Sequence, residues 1–240
     1  DAVGVLIADR MTNEEIFQAR RLADALGTKS VYSANIYDGG LEEIFGFDCS
    51  TNSYQELADT DCILVVGADV PSYYAMLALP VQQAKFGHGA KLLVTAADGW
   101  NGFNFIADRR AVMEDDTRFV KEMLKDCIDE GFVPKNAAGF AELKASLQHV
   151  VPSEEARAFA RDYREAESAM IMIDRERISR ETARLVSALA VVCDKIGRPR
   201  SGIIQMLQHN TTQTVSLMNI RTSMETLLAD IRAGKIKGMV

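Results

Sequence analysis

The run Asp61-Cys62-Ile63-Leu64-Val65-Val66-Gly67 constrains the fold more than any other stretch of this protein. Its aliphatic residues show no alternation with polar ones, which is the pattern of a central parallel strand buried on both faces. Shorter apolar runs occupy residues 3–8 and 91–96, and segments with helical periodicity separate the three runs. Alternation of this kind predicts a parallel α/β sheet over residues 1–96.

The alternation is broken after residue 96 and resumes near residue 169. Between these points we predict a loop at 97–115 and then mainly helices; residues 33–55 are also predicted to be a loop. The predicted fold is a Rossmann-like three-layer sandwich with a mostly parallel sheet, interrupted by a helical insertion. The corresponding segments are a first half of the α/β domain at 1–98, the insertion at 99–165, and a second half at 166–240.

Composition excludes several classes of protein. A net charge of -7 does not favour a surface for nucleic acid or for an anionic membrane. No apolar run reaches the roughly 18–20 residues that span a bilayer, and no secretory signal pattern is present. The four cysteines are scattered without a Cys-x-x-Cys pair, so we expect reduced structural thiols and a cytoplasmic location.

Both ends of the sequence lie in predicted strands. The chain starts with Asp1 and enters a strand at once, and it ends with the apolar stretch 236–240. Domain boundaries usually fall in polar linkers. We therefore expect a fragment of a longer polypeptide.

The sequence gives little support to acid–base or nucleophilic catalysis. The three histidines, His88, His149 and His209, lie in a glycine loop, at a helix end and in a polar stretch. No Gly-x-Ser-x-Gly elbow, Walker loop or Gly-x-Gly-x-x-Gly fingerprint is present. No pair of carboxylates stands out as an acid and its base.

Ligand binding at strand ends is better supported. Three polar loops lie at the end of a predicted strand or at the start of a predicted helix, namely 9–13, 67–72 and 208–213. Open parallel sheets bind their ligands at the carboxyl ends of strands. Their amides and side chains suit a phosphate or the edge of a purine. The same residues would also serve as helix caps in ordinary βα turns, and the residues alone leave both interpretations open.

A glycine- and proline-rich turn near the end of the sequence carries a family resemblance. Gly197-Arg198-Pro199-Arg200-Ser201-Gly202 followed by Gln208-His209-Asn210 resembles the Gly-Arg-Pro-Gly-x-Gly … Gly-Gln-Asn-Asn segment of molybdopterin oxidoreductases. Four further segments resemble that family in the expected order: Arg10–Glu15, Ile63–Pro71, Gly89–Val94 and Ala229–Gly238. Each motif is weak by itself, but five in order are fairly specific.

The resemblance implies an interior domain of an electron-transfer subunit, similar either to formate dehydrogenase or to the G subunit of NADH dehydrogenase. It implies a molybdopterin guanine dinucleotide cofactor in the full-length protein, with iron–sulfur clusters only outside this fragment. Its partners would be the remaining domains of its own polypeptide and other electron-transfer subunits. The implied cofactor-binding residues are Asn13, Gly67, Asp69, Gly197, Gly202, Gln208 and Asn210.

The sequence departs from the family pattern at several points. Thr95-Ala96-Ala97-Asp98 stands where the family has Asp-Pro-Arg, and Arg200 stands where a glycine is usual. No metal-ligating Cys or Ser occupies a recognisable position, so we predict no metal ligand within this sequence. These departures leave two alternatives open: a scaffold that has lost molybdenum, and a nucleotide-binding α/β module outside redox chemistry.

Overall fold

A computed structural model of the protein describes residues 2–34, 39–97, 99–134, 137–220 and 222–240. The chain forms two compact units, one of Asp1–Asp38 with Leu207–Val240 and one of Gly39–Met206. Asp98, the last residue of the predicted first segment, lies outside the described residues, and so do residues 35–38 of the predicted loop at 33–55.

Strands and helices alternate over residues 1–96, as the sequence pattern predicts. The strands are β1 (Val3–Ile7), β2 (Val31–Ser33), β3 (Cys62–Val66), β4 (Lys91–Ala96), β5 (Arg109–Val112), β6 (Ala169–Asp174), β7 (Gly202–Met206) and β8 (Gly238–Met239). The helices are α1 (Asn13–Ala25), α2 (Glu42–Phe45), α3 (Val70–Tyr73), α4 (Ala75–His88), α5 (Asp116–Asp129), α6 (Phe140–Ser146), α7 (Glu154–Glu165), α8 (Arg180–Val192), α9 (Thr212–Leu217) and α10 (Met224–Arg232). A 3-10 helix spans Tyr54–Asp59.

The larger unit is built on a five-stranded sheet in the order β5-β4-β3-β6-β7. Every neighbouring pair is parallel, and Cys62 of β3 stands opposite Lys91 of β4 and Ala169 of β6. The polypeptide moves outward from β3 to β5 and then returns to place β6 on the other side of β3. The order of strands therefore switches between β3 and β6, where open α/β sheets form a crevice at their carboxyl ends.

Helices cover both faces of this sheet. Cys62, Leu64 and Val66 of β3 pack in one core with residues of α5, α7 and α8. Ile63 and Val65, which point the other way, pack in a second core with residues of α4 and the 3-10 helix. Because successive side chains of a strand face opposite sides, a strand covered on both faces must be apolar throughout. The predicted three-layer α/β sandwich is confirmed.

Residues 99–165 are part of this sandwich, which differs from the predicted insertion. β5 pairs with β4, with Leu93 opposite Arg109, and the rings of Phe119 (α5) and Phe159 (α7) meet edge to face at 5.1 Å in the core. The predicted boundaries at 98 and 165 therefore do not coincide with those of the compact units. β5 escapes sequence reasoning because it is a short edge strand, in which charged residues are normal.

β7 is the second strand that the sequence does not predict. Its five residues are all buried, although the strand lies at an edge of the sheet. The segment before the 3-10 helix covers it: Thr51 N–H donates to Ile203 O at 2.9 Å, and Ile203 N–H donates to Thr51 Oγ1 at 2.8 Å. Only the tertiary structure brings these two distant segments together.

The smaller unit has its own three-stranded parallel sheet in the order β2-β1-β8. The Thr-Asn-Glu-Glu sequence before α1 has the pattern of a capping box, and one forms here: Thr12 N–H donates to Glu15 Oε2 at 2.8 Å and Glu15 N–H donates to Thr12 Oγ1 at 3.2 Å. Ile16 of α1 and Val215 of α9 pack with Val5 and Ile7 of the central strand.

Among the described residues, no helix combines the length and the apolar composition that crossing a bilayer requires.

Candidate functional site

The carboxyl ends of β3, β4 and β6 form the candidate site of the larger unit. Gly67 follows β3 with a φ of +62°. A Cβ at this position would come within 2.6 Å of Ile178 Cγ2 and 2.9 Å of Asp116 Oδ2. The main chain at this point therefore requires glycine for two reasons, its conformation and its close approach to neighbours.

A short polar network links β3, β4 and α5 beneath this edge. Gly67 N–H donates to Thr95 Oγ1 at 3.1 Å, and the Thr95 hydroxyl donates to Asp116 Oδ1 at 3.1 Å. Burial raises the pKa of the Asp116 carboxyl, and the hydrogen bond from Thr95 opposes that rise. Thr95, which replaces the first residue of the family's Asp-Pro-Arg element, thus holds the strand end in place.

Asp69 fixes one loop to another. Its Oδ1 accepts a hydrogen bond from Gly102 N–H at 3.0 Å. Nearby, the buried Asn101 donates through Nδ2 to Ala68 O at 2.6 Å. The loop after β4 is therefore held against the loop after β3, and the Asp69 carboxylate contributes to that junction.

Asp174 ends β6, beside β3 at the switch in strand order. It is fully buried; its Oδ1 accepts from Glu176 N–H at 3.0 Å, and its Oδ2 lies 3.5 Å from Arg177 Nε. Oδ2 has no hydrogen bond of normal length to any of the described residues. Burial raises the pKa of this carboxyl. The main-chain N–H of Glu176 and the side chain of Tyr74 lower it, but they offset only part of the rise. Asp174 is thus an acceptor with spare capacity at the point where parallel sheets bind ligands.

Cationic groups stand close to Asp174. Arg175 is buried and donates through Nη2 to Gly39 O at 2.6 Å. The guanidinium of Arg177 lies 4.0 Å from the centroid of the Tyr73 ring, which is cation–π geometry. Sequence reasoning missed this group, although residues 174–177 follow a buried strand directly, and position after a strand is the signal that marked residues 67–72.

Gly197 and Gly202 lie at the opposite edge of the sheet. Gly202 is the first residue of β7, so it stands at an amino end, whereas Gly67 follows a carboxyl end. A Cβ on Gly202 would come within 1.8 Å of Asn52 Oδ1, while Gly197, with a φ of +72°, has open space around it. The structure does not bring these two glycines to the carboxyl edge; their role in cofactor binding stays a prediction.

In the smaller unit, the loop after β1 meets the residues that precede and open α9. Thr211 Oγ1 donates to Asp9 O at 2.7 Å, and Thr212 Oγ1 donates to Asp9 Oδ2 at 2.8 Å. Asn13 Oδ1 accepts from Thr214 Oγ1 at 2.6 Å. His209 Nε2 lies 3.9 Å from Asp9 Oδ1.

This arrangement places the two predicted polar loops of the smaller unit side by side. Gln208 and Asn210 both belong to the second of them, and Asn210 is exposed. Asn13 already serves as an acceptor within the unit, and a cofactor role for these three residues stays a prediction.

The described residues contain no group of three or more His, Cys, Asp or Glu side chains arranged to hold a metal ion. The four cysteines are free thiols, and Cys62, Cys127 and Cys193 are buried. Burial raises the pKa of Cys62 to about 12, so its thiolate is not available for ligation or attack. Cys62, Cys127 and Cys193 belong to the core of the larger unit.

The curated proteins that this chain matches are formate dehydrogenases. The chain is 27% identical to the F420-dependent formate dehydrogenase 1 subunit alpha of Methanococcus maripaludis, over 89% of this chain and 35% of that protein. Three further formate dehydrogenases, one of them formate dehydrogenase H of Escherichia coli, match the same share of the chain at 24–25% identity. The chain thus spans about a third of the length of these relatives. No protein-family model matches it.

Two solved structures share the fold. Acetylene hydratase from Pelobacter acetylenicus superposes on 80% of this chain and 29% of its own, with a TM-score of 0.60 and 20% identity. A polypeptide of the formyltransferase/hydrolase complex from Methylorubrum extorquens also superposes on this chain. The superposition covers 99% of this chain and 67% of that polypeptide, with a TM-score of 0.65 and 13% identity. At these identities the likeness concerns the fold alone.

The open parallel sheet, covered by helices on both faces, defines an α/β sandwich domain. The matches to formate dehydrogenases, together with the five motifs in their expected order, confirm the family recognised in the sequence. These matches support a domain of the molybdopterin oxidoreductase type, and the matching region forms part of a longer subunit in its curated relatives.

Proposed function

We propose that this chain is the part of a formate dehydrogenase-type subunit that holds the nucleotide end of molybdopterin guanine dinucleotide. The observation that carries the proposal is Asp174, a buried carboxylate with spare acceptor capacity at the switch between β3 and β6. The matches to formate dehydrogenases over 89% of the chain support the choice of reaction.

The residues at this edge suit a guanine nucleotide. The Watson–Crick edge of guanine presents two adjacent donors, N1–H and the N2 amino group, and a carboxylate can accept from both. Asp174 supplies that carboxylate. Gly67, with its positive φ, permits the tight turn of the main chain that shapes this edge directly after β3.

The predicted residues of the smaller unit form a separate part of the proposal. Asn13, Gln208 and Asn210 lie on neighbouring loops of that unit, and their role in cofactor binding is a prediction that does not depend on the site of the larger unit. Asp69 would act indirectly, because its carboxylate fixes the loop after β4.

When bound, the cofactor would supply the two-electron redox chemistry by which formate is oxidised to carbon dioxide and a proton. The residues of this chain would bind and orient that group and exclude water around its nucleotide. Iron–sulfur clusters, a cytoplasmic location and electron-transfer partners belong to the proposal for the longer protein. A scaffold similar to the G subunit of NADH dehydrogenase is the variant in which the cofactor has been lost.

Metal and nucleotide analysis of the full-length protein tests the proposal. About one molybdenum or tungsten per polypeptide, guanine nucleotide released on acid treatment, and formate-dependent reduction of an artificial acceptor are the expected results. Protein that contains neither metal nor guanine nucleotide after expression in a host that makes the cofactor would favour the scaffold.

A binding experiment on the 240-residue chain tests the site itself. Calorimetric titration with GDP should show binding, and titration with ADP should show much weaker binding, because adenine offers no N1–H donor. Asp174→Asn should weaken GDP binding roughly tenfold or more, in line with the loss of a charge-assisted hydrogen bond. The matched control is Asp129→Asn on the exposed end of α5, which should leave GDP binding unchanged. Equal loss in both variants would contradict the assignment of Asp174.

A further inference from the structure

A cavity of about 300 Å³ opens between α2, α6 and α8 of the larger unit. Ala188 and Val192 of α8 form its floor, and both are buried in the core that covers one face of the sheet. None of the described residues that line the cavity belongs to the strand-end site around Gly67 and Asp174. Proteins bind small molecules in cavities of this size, so this one is a candidate ligand site of its own.

The walls of the cavity are mainly apolar. Phe140 and Leu143 of α6 line one side of it. On α8, the lining residues Arg184, Ala188 and Val192 follow one another at intervals of four residues, so they form one row along the helix. The small side chain of Ala188 in the middle of that row leaves open the space that a leucine would fill.

One end of this row carries an unevenly paired set of charges. Glu43 and Arg184 line the cavity, and their side chains are 35% and 36% exposed, so they stand at its solvent side. Glu43 Oε1 accepts from Nε and Nη2 of Arg180, each at 2.6 Å. Arg184 Nε lies 3.8 Å from Glu43 Oε2, which is too far for a hydrogen bond. The glutamate is therefore satisfied by Arg180, and the guanidinium of Arg184 keeps donors for a further anion.

We propose that this cavity binds a medium-chain monocarboxylate, with the aliphatic chain between α6 and α8 and the carboxylate on Arg184. A guanidinium matches a carboxylate through two parallel N–H···O bonds, which fixes the head group. A dry protein cavity of about 150 Å³ holds benzene, so a cavity of about 300 Å³ has room for roughly eight to twelve carbons. The head group then lies at Arg184 and the chain runs along α8 towards Val192.

The charges and the walls make other occupants less suitable. A neutral chain leaves the Arg184 donors without an acceptor, and an amine adds a cation beside the two arginines. A polypeptide segment brings main-chain N–H and C=O groups between apolar walls, where unpaired polar groups are costly. Among the described residues that line the cavity, Glu43 and Arg184 are the only ones with polar side chains.

Calorimetric titration of the 240-residue chain with octanoate, octanol and octylamine tests the class of ligand. Octanoate should bind, and the alcohol and the amine should each bind roughly tenfold more weakly or worse, because neither supplies a carboxylate to Arg184. From butanoate to octanoate the affinity should rise roughly fourfold for each added methylene, as burial of an aliphatic chain requires.

Two variants locate the site. Arg184→Gln should weaken octanoate binding roughly tenfold or more and leave octanol binding unchanged. Ala188→Leu fills the middle of the row and should abolish the binding of both ligands. The matched control is Arg161→Gln, at an exposed position on α7, which should change neither. Circular dichroism verifies the fold of each variant, and the exposed Arg184→Gln keeps the test valid if Ala188→Leu does not fold.

Three outcomes would overturn the proposal. Octanoate that does not bind below roughly 1 mM would assign the cavity to another occupant, such as a segment of a longer polypeptide. Octylamine that binds as well as octanoate would remove Arg184 from the site. Octanoate binding that persists in folded Ala188→Leu would place the ligand elsewhere on the surface. GDP takes no part in these titrations, so a negative result leaves the proposed cofactor site untouched.

Discussion

The main-chain N–H of Arg200 donates a 2.7 Å hydrogen bond to Oε2 of Glu56. The same oxygen accepts from Asn52 Nδ2 at 2.9 Å, and Oε1 accepts from Ser53 N–H at 2.9 Å. Asn52 Nδ2 also donates to Arg198 O at 3.0 Å. The glycine- and proline-rich turn that identifies the family is therefore held, in this protein, by a segment far earlier in the sequence.

Replacement of Glu56 should loosen that junction. Glu56→Ala removes acceptors for three N–H groups and should lower the free energy of unfolding by about 2–3 kcal/mol. Urea denaturation followed by circular dichroism measures it. Glu142→Ala, at an exposed position on α6, is the control and should change stability by less than about 0.5 kcal/mol. Equal effects of the two substitutions would show that the junction contributes nothing.

The same carboxylate should make stability depend on pH. Hydrogen bonds from Arg200, Asn52 and Ser53 lower the pKa of Glu56 from 4.5 to about 2. A lowered folded-state pKa means that the carboxylate contributes fully above about pH 4.5 and loses its contribution as the pH falls towards 2. The difference in unfolding free energy between the parent and Glu56→Gln should therefore be constant near neutrality and shrink below about pH 4.5. A difference that stays constant down to about pH 3 would contradict this assignment.

Gly202→Ala should be strongly destabilising although it adds a single methyl group. The new Cβ would lie within 1.8 Å of Asn52 Oδ1 and 2.3 Å of Thr51 Oγ1, so the segment that covers β7 must move. We expect a loss of about 1–3 kcal/mol, typical of overpacking. Gly238→Ala is the matched control, since a Cβ there meets nothing within 4 Å. Thermal unfolding of both variants provides the comparison, and similar melting temperatures would argue against the clash.

Arg200 occupies the left-handed region, with a φ of +60°, at the position where the family usually has glycine. Glycine adopts this conformation without the strain that any side chain imposes. Arg200→Gly should therefore be more stable than Arg200→Ala by about 1 kcal/mol, because both lose the bond from Arg200 Nη1 to Asp59 O but only alanine keeps the strain. Chemical denaturation measures the free energy of unfolding of the two variants. An alanine variant at least as stable as the glycine variant would contradict the strain inferred from the positive φ.

Asp162 joins α7 to two strands of the larger unit. The buried carboxylate pairs with Lys91 Nζ at 2.6 Å and with Arg109 Nε. Burial works to raise the pKa of Asp162, but the hydrogen bonds from Lys91 and Arg109 outweigh it, and the net shift is downward. Asp162→Ala should cost about 1–3 kcal/mol, because it leaves two cations near the sheet without their partner.

The exposed pair of Lys125 and Asp129 on α5 provides the comparison for Asp162. Asp129→Ala should cost less than about 0.5 kcal/mol, since solvent screens a surface pair. Urea midpoints measured for the two variants should differ clearly. If both cost the same, burial of Asp162 would have no energetic consequence.

Sequence reasoning succeeded where local pattern and burial agree. The apolar run at 62–66 is buried on both faces because it is the central strand, and the capping box at Thr12 forms because it needs only neighbouring residues. The family followed from short motifs in order. β5 and β7 were missed because each is an edge strand, stabilised by contacts with segments that are remote in sequence.

In the candidate site, too, the sequence predicted the residues marked by local pattern and missed those placed by remote contacts. Gly67 and Asp69 were predicted at a strand end and are found there, while Asp174 was overlooked and the turn at 197–202 lies at the opposite edge of its sheet. By itself the sequence determined the class of fold, the family and the local starts and ends of helices, because these depend on periodicity and neighbouring residues. Tertiary structure alone decided which strand ends meet and that Glu56 holds the turn before β7. Strand order and long-range hydrogen bonds are formed between residues that the sequence keeps far apart.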